Sequence, residues 1–443
     1  MSASNAIRPD KYVLIPPQKL ELIWKEERKA IESPQEFHFA EGFKLFLSAL
    51  WSPLWPPADS MSSVGYGHSL ALEPCVLQYA SRANIGLLTG GPLDHPRLDF
   101  QGPPISIAPA GARPPVSDPL DRPRTDFRDP PKEVWNGNIG VRLCWNGHSD
   151  SSDEDANRCF QSMVRVDSFF RETFKISPID DPASENLMRT DIHHPEAFNQ
   201  AFWRPGDRRV CCGDCSPEIF SSFAANAEVI SHEFSHAALY YLSRLDYQFQ
   251  SGAIHESFSD ILSVMEKHYR TKTQAGAPDA NWNVCEGLIR GAALGTSLRS
   301  LSHPGFGFRG HPILGNDDQV GHMSSYQVEP LAVDYGGVHK YSGIANRAFY
   351  LAAMQEAGFS WEKIGKVWRL ALTRSRHDID FAGFARKTVK AVKKLGFGEA
   401  VEHIVASSWS QLGVLTDMAP PPSAAGTAPK ASEEPPLKRK ILS

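Results

Sequence analysis

The sequence predicts an α+β protein in which a sheet-rich segment is followed by a mainly helical one. Short apolar stretches bounded by turn residues predict strands or strand edges over 137–145, 187–192, 198–203 and 209–215. Apolar residues at helical spacing predict one helix within 156–173 of the same segment. From Ala224 onward the helical spacing continues, and it predicts helices over 226–244, 252–270, 284–296, 342–357, 360–375, 379–395 and 396–410.

Composition divides the chain of 443 residues into four segments. Residues 1–130 contain a predicted amphipathic helix over 20–31 and end in a proline-rich stretch, which is typical of a linker or a surface loop. Residues 131–225 are the sheet-rich segment, residues 226–417 are the helical segment, and the tail 418–443 is expected to be disordered. The basic cluster 438–440 in that tail is either a nuclear address or, more commonly, a solvated chain end.

Charge and hydropathy argue against two classes of partner. The chain has 46 Lys+Arg against 51 Asp+Glu, a formal net charge of −5 and no basic stripe, so nucleic acid is not an expected partner. No segment approaches the roughly 18 apolar residues of a membrane span, so no membrane partner is expected either. The N-terminus lacks the basic start and apolar run of a secretory signal, which predicts a cytoplasmic protein with leaderless export left open. The sequence indicates no particular oligomeric state.

The cysteines have two interpretations. Seven is an odd number and four of them are scattered along the chain, which is typical of reduced thiols. Cys211, Cys212 and Cys215 place three thiols within five residues and could bind zinc. No second cysteine pair lies at a finger-like distance, so strand residues beside a Gly-Asp turn are the commoner interpretation.

The stretch 229–242 carries the pattern H-E-x-x-H inside an apolar helical repeat. On a helix His232 and His236 project from one face, where two imidazoles can hold one Zn²⁺. Glu233 is turned by about 100° around the helix, which suits a carboxylate that reaches a metal-bound water rather than the metal. The pattern predicts the catalytic helix of a zincin, although paired histidines also occur on structural helices.

A catalytic zinc site requires one more protein ligand and a water. Glu256 follows His236 by twenty residues, enough for the first helix to end and a second helix to return antiparallel. Asp260 lies at i,i+4 from Glu256 and therefore shares its face. It could accept a hydrogen bond from the outer nitrogen of a zinc histidine and so hold the tautomer of that ring.

With these residues in place, the chain resembles the thermolysin-like neutral metalloproteases over about residues 134–416. The second motif of that family is G-x-x-N-E-x-x-S-D, and 252–260 matches it at every defined position but one. Further matches follow in the same order as in the family. Residues 199–203 resemble its substrate-binding edge strand, and Tyr247 stands at the position of its catalytic tyrosine. Residues 297–302 resemble the segment with its substrate-binding arginine, residues 334–344 resemble the block with its catalytic histidine, and residues 409–414 resemble its terminal helix. The stretch 12–17 faintly resembles the prosegment motif of leaderless members with short propeptides.

The resemblance implies a two-lobed fold and a role for each metal-site residue. A sheet-rich N-terminal lobe and a helical C-terminal lobe would enclose one zinc ion in the cleft between them. His232, His236 and Glu256 would hold the ion, which acidifies a water, while Glu233 takes the proton and passes it to the leaving amine.

The resemblance also implies donors to the tetrahedral oxyanion and a binding site for the substrate. Tyr247 and His339 would donate to the oxyanion, with Asp334 orienting His339. Gln200 and Ala201 would hold the peptide backbone, and Arg299 would bind the carbonyl beyond the scissile bond. The residues at the family's substrate-pocket positions are Val229, Val284 and Leu298. All three are apolar, so the resemblance predicts cleavage before Leu, Phe or Ile.

Two substitutions depart from the family pattern near the site. His255 replaces the motif's asparagine and puts a titratable ring beside the metal ligands, where it could tune or weaken zinc binding. Ligation by His255 itself is a lesser alternative, because that side chain points about 100° away from Glu256. Gln200 replaces an asparagine in the edge strand, and its longer amide can still reach a peptide backbone.

The double calcium site of the family is expected to be absent. A lysine ammonium at its centre would repel divalent cations and could partly replace their charge. The positions concerned are Glu228, Lys267, Asn281, Asn283 and Glu286.

The sequence favours an active zinc endopeptidase acting on peptides or proteins over two alternatives. A pseudoenzyme that binds without turnover would not need Glu233, Tyr247 and His339. A helical aminopeptidase would carry an exopeptidase-type motif before the zinc helix, and none is present. Residues 1–130 have three possible roles, which are a short propeptide, an arm that blocks the cleft or a fused accessory domain.

Overall fold

A computed structural model of the protein describes residues 9–31, 129–181, 185–243 and 245–416. The predicted disordered tail, the basic cluster 438–440 and most of the proline-rich stretch lie outside these residues. No helix within them is long and apolar enough to cross a membrane.

One mixed sheet organises the first half of the described chain, with the strand order β1-β5-β6-β4-β2-β3. Its strands in sequence order are β1 Tyr12–Val13, β2 Lys132–Asn136, β3 Val141–Trp145, β4 Met188–Ile192, β5 Ala201–Arg204 and β6 Arg209–Cys212. The pairs β2–β4 and β4–β6 are parallel, and the other pairs are antiparallel. The N-terminal β1 therefore lies at the edge of the sheet beside β5, with Tyr12 opposite Trp203 and Val13 opposite Phe202.

Two helices accompany the sheet. Helix α1, Pro17–Ile31, follows directly from the edge strand β1 and begins with proline, which needs no backbone partner in a first turn. Helix α2, Glu154–Phe169, packs on β2 and β3, and Asp153 caps its first turn by accepting from the Ala156 amide. Its buried apolar side chains recur at helical spacing, as the sequence predicts.

The second half is helical. In chain order its helices are α3 Ala227–Leu242, α4 Phe249–Thr271, α5 Asp334–Glu356, α6 Lys363–Thr373, α7 Phe381–Leu395 and α8 Gly398–Ser410. Helix α4 packs between α3 and α5, and every side chain from Ser251 to His268 is buried. The predicted α+β order of the two halves is thus confirmed, and α4 is the central helix of the second half.

The predicted helix over 284–296 is wrong. A short strand β7, Asn283–Val284, pairs there with β8, Arg299–Ser300, and a loop connects the two strands. Gly287, Gly291 and Gly295 adopt φ of 74°, 72° and 77° within that loop, a left-handed conformation that interrupts any right-handed helix. The apolar periodicity of the segment reflects side chains that enter the core from an irregular chain.

Among the other boundaries, β3 and α5 begin well away from their predicted starts. Residues 137–140 form the turn between β2 and β3 rather than the start of a strand, and Gly140 has a φ of 69°. The bounds of helix α5 begin at Asp334, eight residues before the predicted start, but residues 334–337 have positive φ of 50° to 85°, so the regular right-handed helix begins only at Val338.

Candidate active site

Helix α3 brings the two histidines of the motif together. Asn226 caps the helix by accepting from the Glu228 and Val229 amides, and this sets the rotation of the first turns. His232 and His236 are fully buried, and their Nε2 atoms lie 3.0 Å apart. Both rings therefore present one nitrogen to the same point, as the i,i+4 spacing predicts.

Helix α4 places Glu256 against that point. Its carboxylate oxygens lie 3.6 Å from His232 Nε2 and 3.4 Å from His236 Nε2. The three residues are buried, and one donor atom from each lies within 4.8 Å of the other two. No other such group of histidine, cysteine and carboxylate side chains occurs among the described residues.

The outer nitrogens of both histidines face oxygen atoms on α4. His232 Nδ1 lies 3.0 Å from Asp260 Oδ1, and His236 Nδ1 lies 3.0 Å from Ser259 Oγ. This arrangement directs the Nε2 lone pairs of neutral rings toward Glu256. Two imidazoles and one carboxylate with oriented tautomers fit a tetrahedral zinc ion that keeps one open position.

Asp260 is itself held by two further side chains. Arg299 donates from Nε and Nη2 at 2.9 and 2.7 Å, and Asn346 donates from Nδ2 at 2.9 Å. All three residues are buried, so these charge-assisted bonds hold the carboxylate firmly against His232. The sequence assigns a role to Asp260 and Arg299 but none to Ser259, although Ser259 is a defined position of the second motif, and nothing in the sequence points to Asn346 on α5.

Glu233 lies fully buried on α3, one residue after His232. Burial raises the pKa of this carboxyl to about 8, with the neighbouring His232 lowering it and the Glu256 carboxylate raising it further. A carboxyl group poised near neutral pH can both accept and release a proton.

His339 and Tyr247 also contact the Glu256 carboxylate. His339 Nδ1 contacts Asp334 Oδ1 at 2.5 Å, and its Nε2 lies 3.5 Å from a Glu256 oxygen. Burial lowers the pKa of His339, but the Asp334 and Glu256 carboxylates outweigh it and raise the value to about 9. The Tyr247 hydroxyl donates to the other Glu256 oxygen.

Residues 12–15, which comprise the N-terminal strand β1 and the bend that follows it, run through this site. His339 Nε2 contacts the Val13 carbonyl oxygen at 2.7 Å, and Arg299 Nη1 donates to the next carbonyl, that of Leu14, at 3.2 Å. The Leu14 amide donates to the Ala201 carbonyl at 3.0 Å. These contacts join α5, β8 and β5 to one short piece of backbone.

Gln200 completes the contacts with the strand. Its Oε1 accepts from the Ile15 amide and its Nε2 donates to the Ile15 carbonyl, both at 2.7 Å. The glutamine that replaces the family's asparagine therefore reaches a peptide backbone with both ends of its amide. Tyr12, Leu14 and Ile15 are at most 1% exposed, so the strand fills the cleft.

The predicted pocket residues are all buried, and one of them lies beside the strand. Leu298 lines the same cavity as Ile15, beside Arg299 and His339. Val229 and Val284 are fully buried and belong to the continuous apolar core that includes Leu14.

His255 lies outside the group of three metal-capable side chains. Its ring stacks on His236 with centroids 5.2 Å apart, and on Tyr12 with centroids 4.9 Å apart. The lesser alternative of zinc ligation by His255 therefore has no geometric support in the described residues.

The cysteine cluster forms part of the sheet. Cys211 and Cys212 are buried in β6, and Cys215 follows it. Burial raises the pKa of the Cys211 thiol to about 12 and that of Cys215 to about 11, which keeps both protonated. This agrees with the interpretation as strand residues.

A mixed sheet followed by a helical half, with two histidines and a glutamate converging from packed helices, defines a zinc metallopeptidase. Two family models match the chain, the thermolysin metallopeptidase catalytic domain over residues 142–239 and the thermolysin metallopeptidase α-helical domain over residues 243–414. The chain belongs to this family, and it is a zinc metalloendopeptidase.

Similar proteins agree with this assignment. Protease PrtS of Photorhabdus sp. (strain Az29) is 34% identical over 271 residues, which is 60% of this chain and 71% of that protein. The extracellular minor metalloprotease of Serratia marcescens is 41% identical over 249 residues, or 54% of this chain and 67% of that protein. A solved structure named as the precursor of protealysin, a metalloproteinase from Serratia proteamaculans, has a TM-score of 0.59 and 31% identity, and the match covers 65% of this chain and 88% of that one.

The comparisons confirm the two-lobed thermolysin-like fold expected from the sequence. They also favour an enzyme, since the matching relatives are named as proteases. The alternative of a pseudoenzyme that only binds has no support from them.

Proposed function

We propose that this chain is a latent zinc endopeptidase that hydrolyses peptide bonds before bulky hydrophobic residues once its N-terminal strand has left the cleft. The observation that carries the proposal is the pair of contacts from His339 and Arg299 to the consecutive carbonyls of Val13 and Leu14. A substrate that pairs with β5 in the same way brings its carbonyl to the same donors. The precursor name of the solved relative supports latency.

The residues present fit one zinc ion, held by His232, His236 and Glu256. Such an ion supplies a Lewis acid and lowers the pKa of a water molecule to about 7. Glu233 accepts a proton from the attacking water and later passes it to the leaving amine. His339 Nε2 and the Tyr247 hydroxyl donate to the developing oxyanion, and the Asp334 carboxylate keeps His339 protonated.

Removal of the metal tests this function. With casein as substrate, protein whose cleft has been opened by proteolytic removal of the N-terminal segment should lose hydrolysis in phenanthroline and regain it when zinc is added back. The control is the non-chelating isomer of phenanthroline at the same concentration. Cleavage that persists after the metal has been removed and measured as absent contradicts the proposal.

Substrate preference follows from the apolar pocket around Val229, Val284 and Leu298. A peptide library should show cleavage before Leu, Phe and Ile, each at least about tenfold faster than before Asp or Lys, because an unpaired charge in an apolar pocket costs several kcal/mol. Mass spectrometry of the products locates the cleaved bonds. A preference for charged residues after the bond contradicts the pocket assignment.

We propose further that Lys267 takes the place of bound calcium. Its ammonium lies 3.1 Å from a Glu228 oxygen, 3.1 Å from Asn281 Oδ1 and 2.6 Å from the Asn283 carbonyl. The side chains of Lys267 and Glu228 are 8% and 10% exposed, so the pair is largely shielded from solvent. One fixed positive charge thus satisfies oxygen atoms that would otherwise require a divalent ion.

Calcium should accordingly leave the thermal unfolding temperature unchanged within about 1 °C, whereas Lys267→Glu should make it rise with calcium, because the added carboxylate restores an anionic site. Differential scanning calorimetry in calcium and in chelator measures both. Equilibrium dialysis that finds two tightly bound calcium ions in the native chain contradicts the proposal.

For location, the name of the Pectobacterium carotovorum relative, extracellular metalloprotease, favours action outside the cell. We propose export over the cytoplasmic location expected from the sequence. Immunodetection of the chain in culture medium and cell extract decides between the two.

A further inference from the structure

Three aromatic rings enclose the side chain of Tyr12 in the cleft. Its ring centroid lies 4.9 Å from that of His255, nearly parallel at 20°, and 5.1 Å from that of His236. Tyr247 meets it edge-on at 4.7 Å. The Tyr12 residue is 1% exposed, so the enclosure is almost complete.

The enclosing rings also contact one another. His255 stacks on His236 at 5.2 Å and meets Tyr247 edge-on at 5.5 Å. All three residues are at most 2% exposed, and two of them lie on the packed helices α3 and α4. Packing thus holds this aromatic cage, defined as His236, Tyr247 and His255, in a fixed shape before an aromatic side chain enters.

The backbone register gives the cage a position relative to the reacting bond. His339 contacts the Val13 carbonyl, and the following amide, that of Leu14, donates to Ala201. Under the proposed function, the Val13–Leu14 peptide therefore stands where the scissile bond of a substrate would stand. Tyr12 is then the second residue before that bond.

We propose that His255 makes the aromatic cage a subsite selective for an aromatic side chain two residues before the scissile bond, and that Tyr12 occupies this subsite in the latent chain. The proposal rests on the proposed function for its substrate part. Asparagine, which the related motif has at position 255, offers no ring face to a substrate, so the selectivity depends on this substitution.

Hydrogen exchange in the full-length, Glu233→Gln chain tests the cage without turnover. The Leu14 and Ile15 amides are bonded only while the strand occupies the cleft. Tyr12→Leu should accelerate their exchange about tenfold when His255 is present. In a chain that also carries His255→Asn, Tyr12→Leu should change the exchange rates of these amides less than twofold. In a chain that carries His255→Phe instead, the tenfold acceleration should return. Equal acceleration in all three backgrounds overturns the proposal.

Matched peptides test the substrate part. The two peptides share a scissile Val–Leu bond and differ only in having Tyr or Leu as the second residue before that bond. The readout is the ratio of their kcat/KM values. The enzyme is full-length Leu14→Lys protein, in which binding of the N-terminal strand to the cleft is weakened. The ratio should favour tyrosine about tenfold and fall to about one in His255→Asn, even if both rates decline. A ratio that His255→Asn leaves unchanged overturns the proposal. If no peptide is cleaved but the effect of Tyr12→Leu on hydrogen exchange still depends on His255, the result contradicts the proposed function and supports the aromatic cage as the binding site of Tyr12.

Discussion

Protein carrying Glu233→Gln, opened by the same proteolytic treatment as the native chain, should hydrolyse a Leu-containing peptide at least about a thousandfold more slowly. Glutamine keeps the size of the side chain but cannot accept the proton of the attacking water. The metal donors His232, His236 and Glu256 are untouched, so zinc content should stay at the native level. Initial rates and metal analysis on the same preparation measure the two quantities together.

The matched control is Glu266→Gln. Glu266 is also buried, and burial raises the pKa of its carboxyl to about 7, so loss of its charge resembles the change at Glu233. It lies on α4 ten residues beyond Glu256, outside the metal site. Activity should stay within about twofold of native. A Glu233→Gln chain that retains native activity with normal zinc would exclude Glu233 as the base.

Local periodicity explains which parts of the site could be predicted. His232 and His236, and likewise Glu256 and Asp260, are i,i+4 pairs, so each pair needs only a helix to share a face. Both helices form as expected. The meeting of the two pairs required only an antiparallel return of the chain within twenty residues.

Contacts that depend on distant packing could not be predicted in this way. Asn346 reaches Asp260 across 86 residues, and His339 reaches the Val13 carbonyl across 326. No spacing within one element encodes either contact. Likewise, the segment 284–296 has helical apolar spacing, but its glycines adopt positive φ and the chain enters the core without a helix.

The proposed latent state would depend on several contacts acting together on residues 12–15. Two of the contacts use groups proposed to act in catalysis or in binding the substrate, His339 and Arg299, so the strand and a substrate exclude each other. Gln200 adds two backbone bonds to Ile15 that do not involve the reacting bond. The strand is therefore held by contacts both at the proposed reacting bond and beyond it.

Full-length protein carrying Leu14→Lys should hydrolyse the same peptide about 10 to 100 times faster than the full-length native chain. Leu14 is fully buried, and its carbonyl accepts from Arg299, so a lysine side chain there would be desolvated near a like charge. A loss of about 1.4 to 2.7 kcal/mol in strand binding shifts the open population by that factor. Initial rates must be measured while gel electrophoresis shows that the chain is intact.

Leu22→Lys is the matched control, because Leu22 lies on α1 in the same N-terminal segment but is 38% exposed. It introduces the same charge without burying it and should leave the full-length activity at the native level. If Leu14→Lys does not raise the rate while thermal unfolding shows a folded chain, the strand does not limit access to the metal site. Equal activation by both variants would mean that added positive charge, rather than release of the strand, increases the rate.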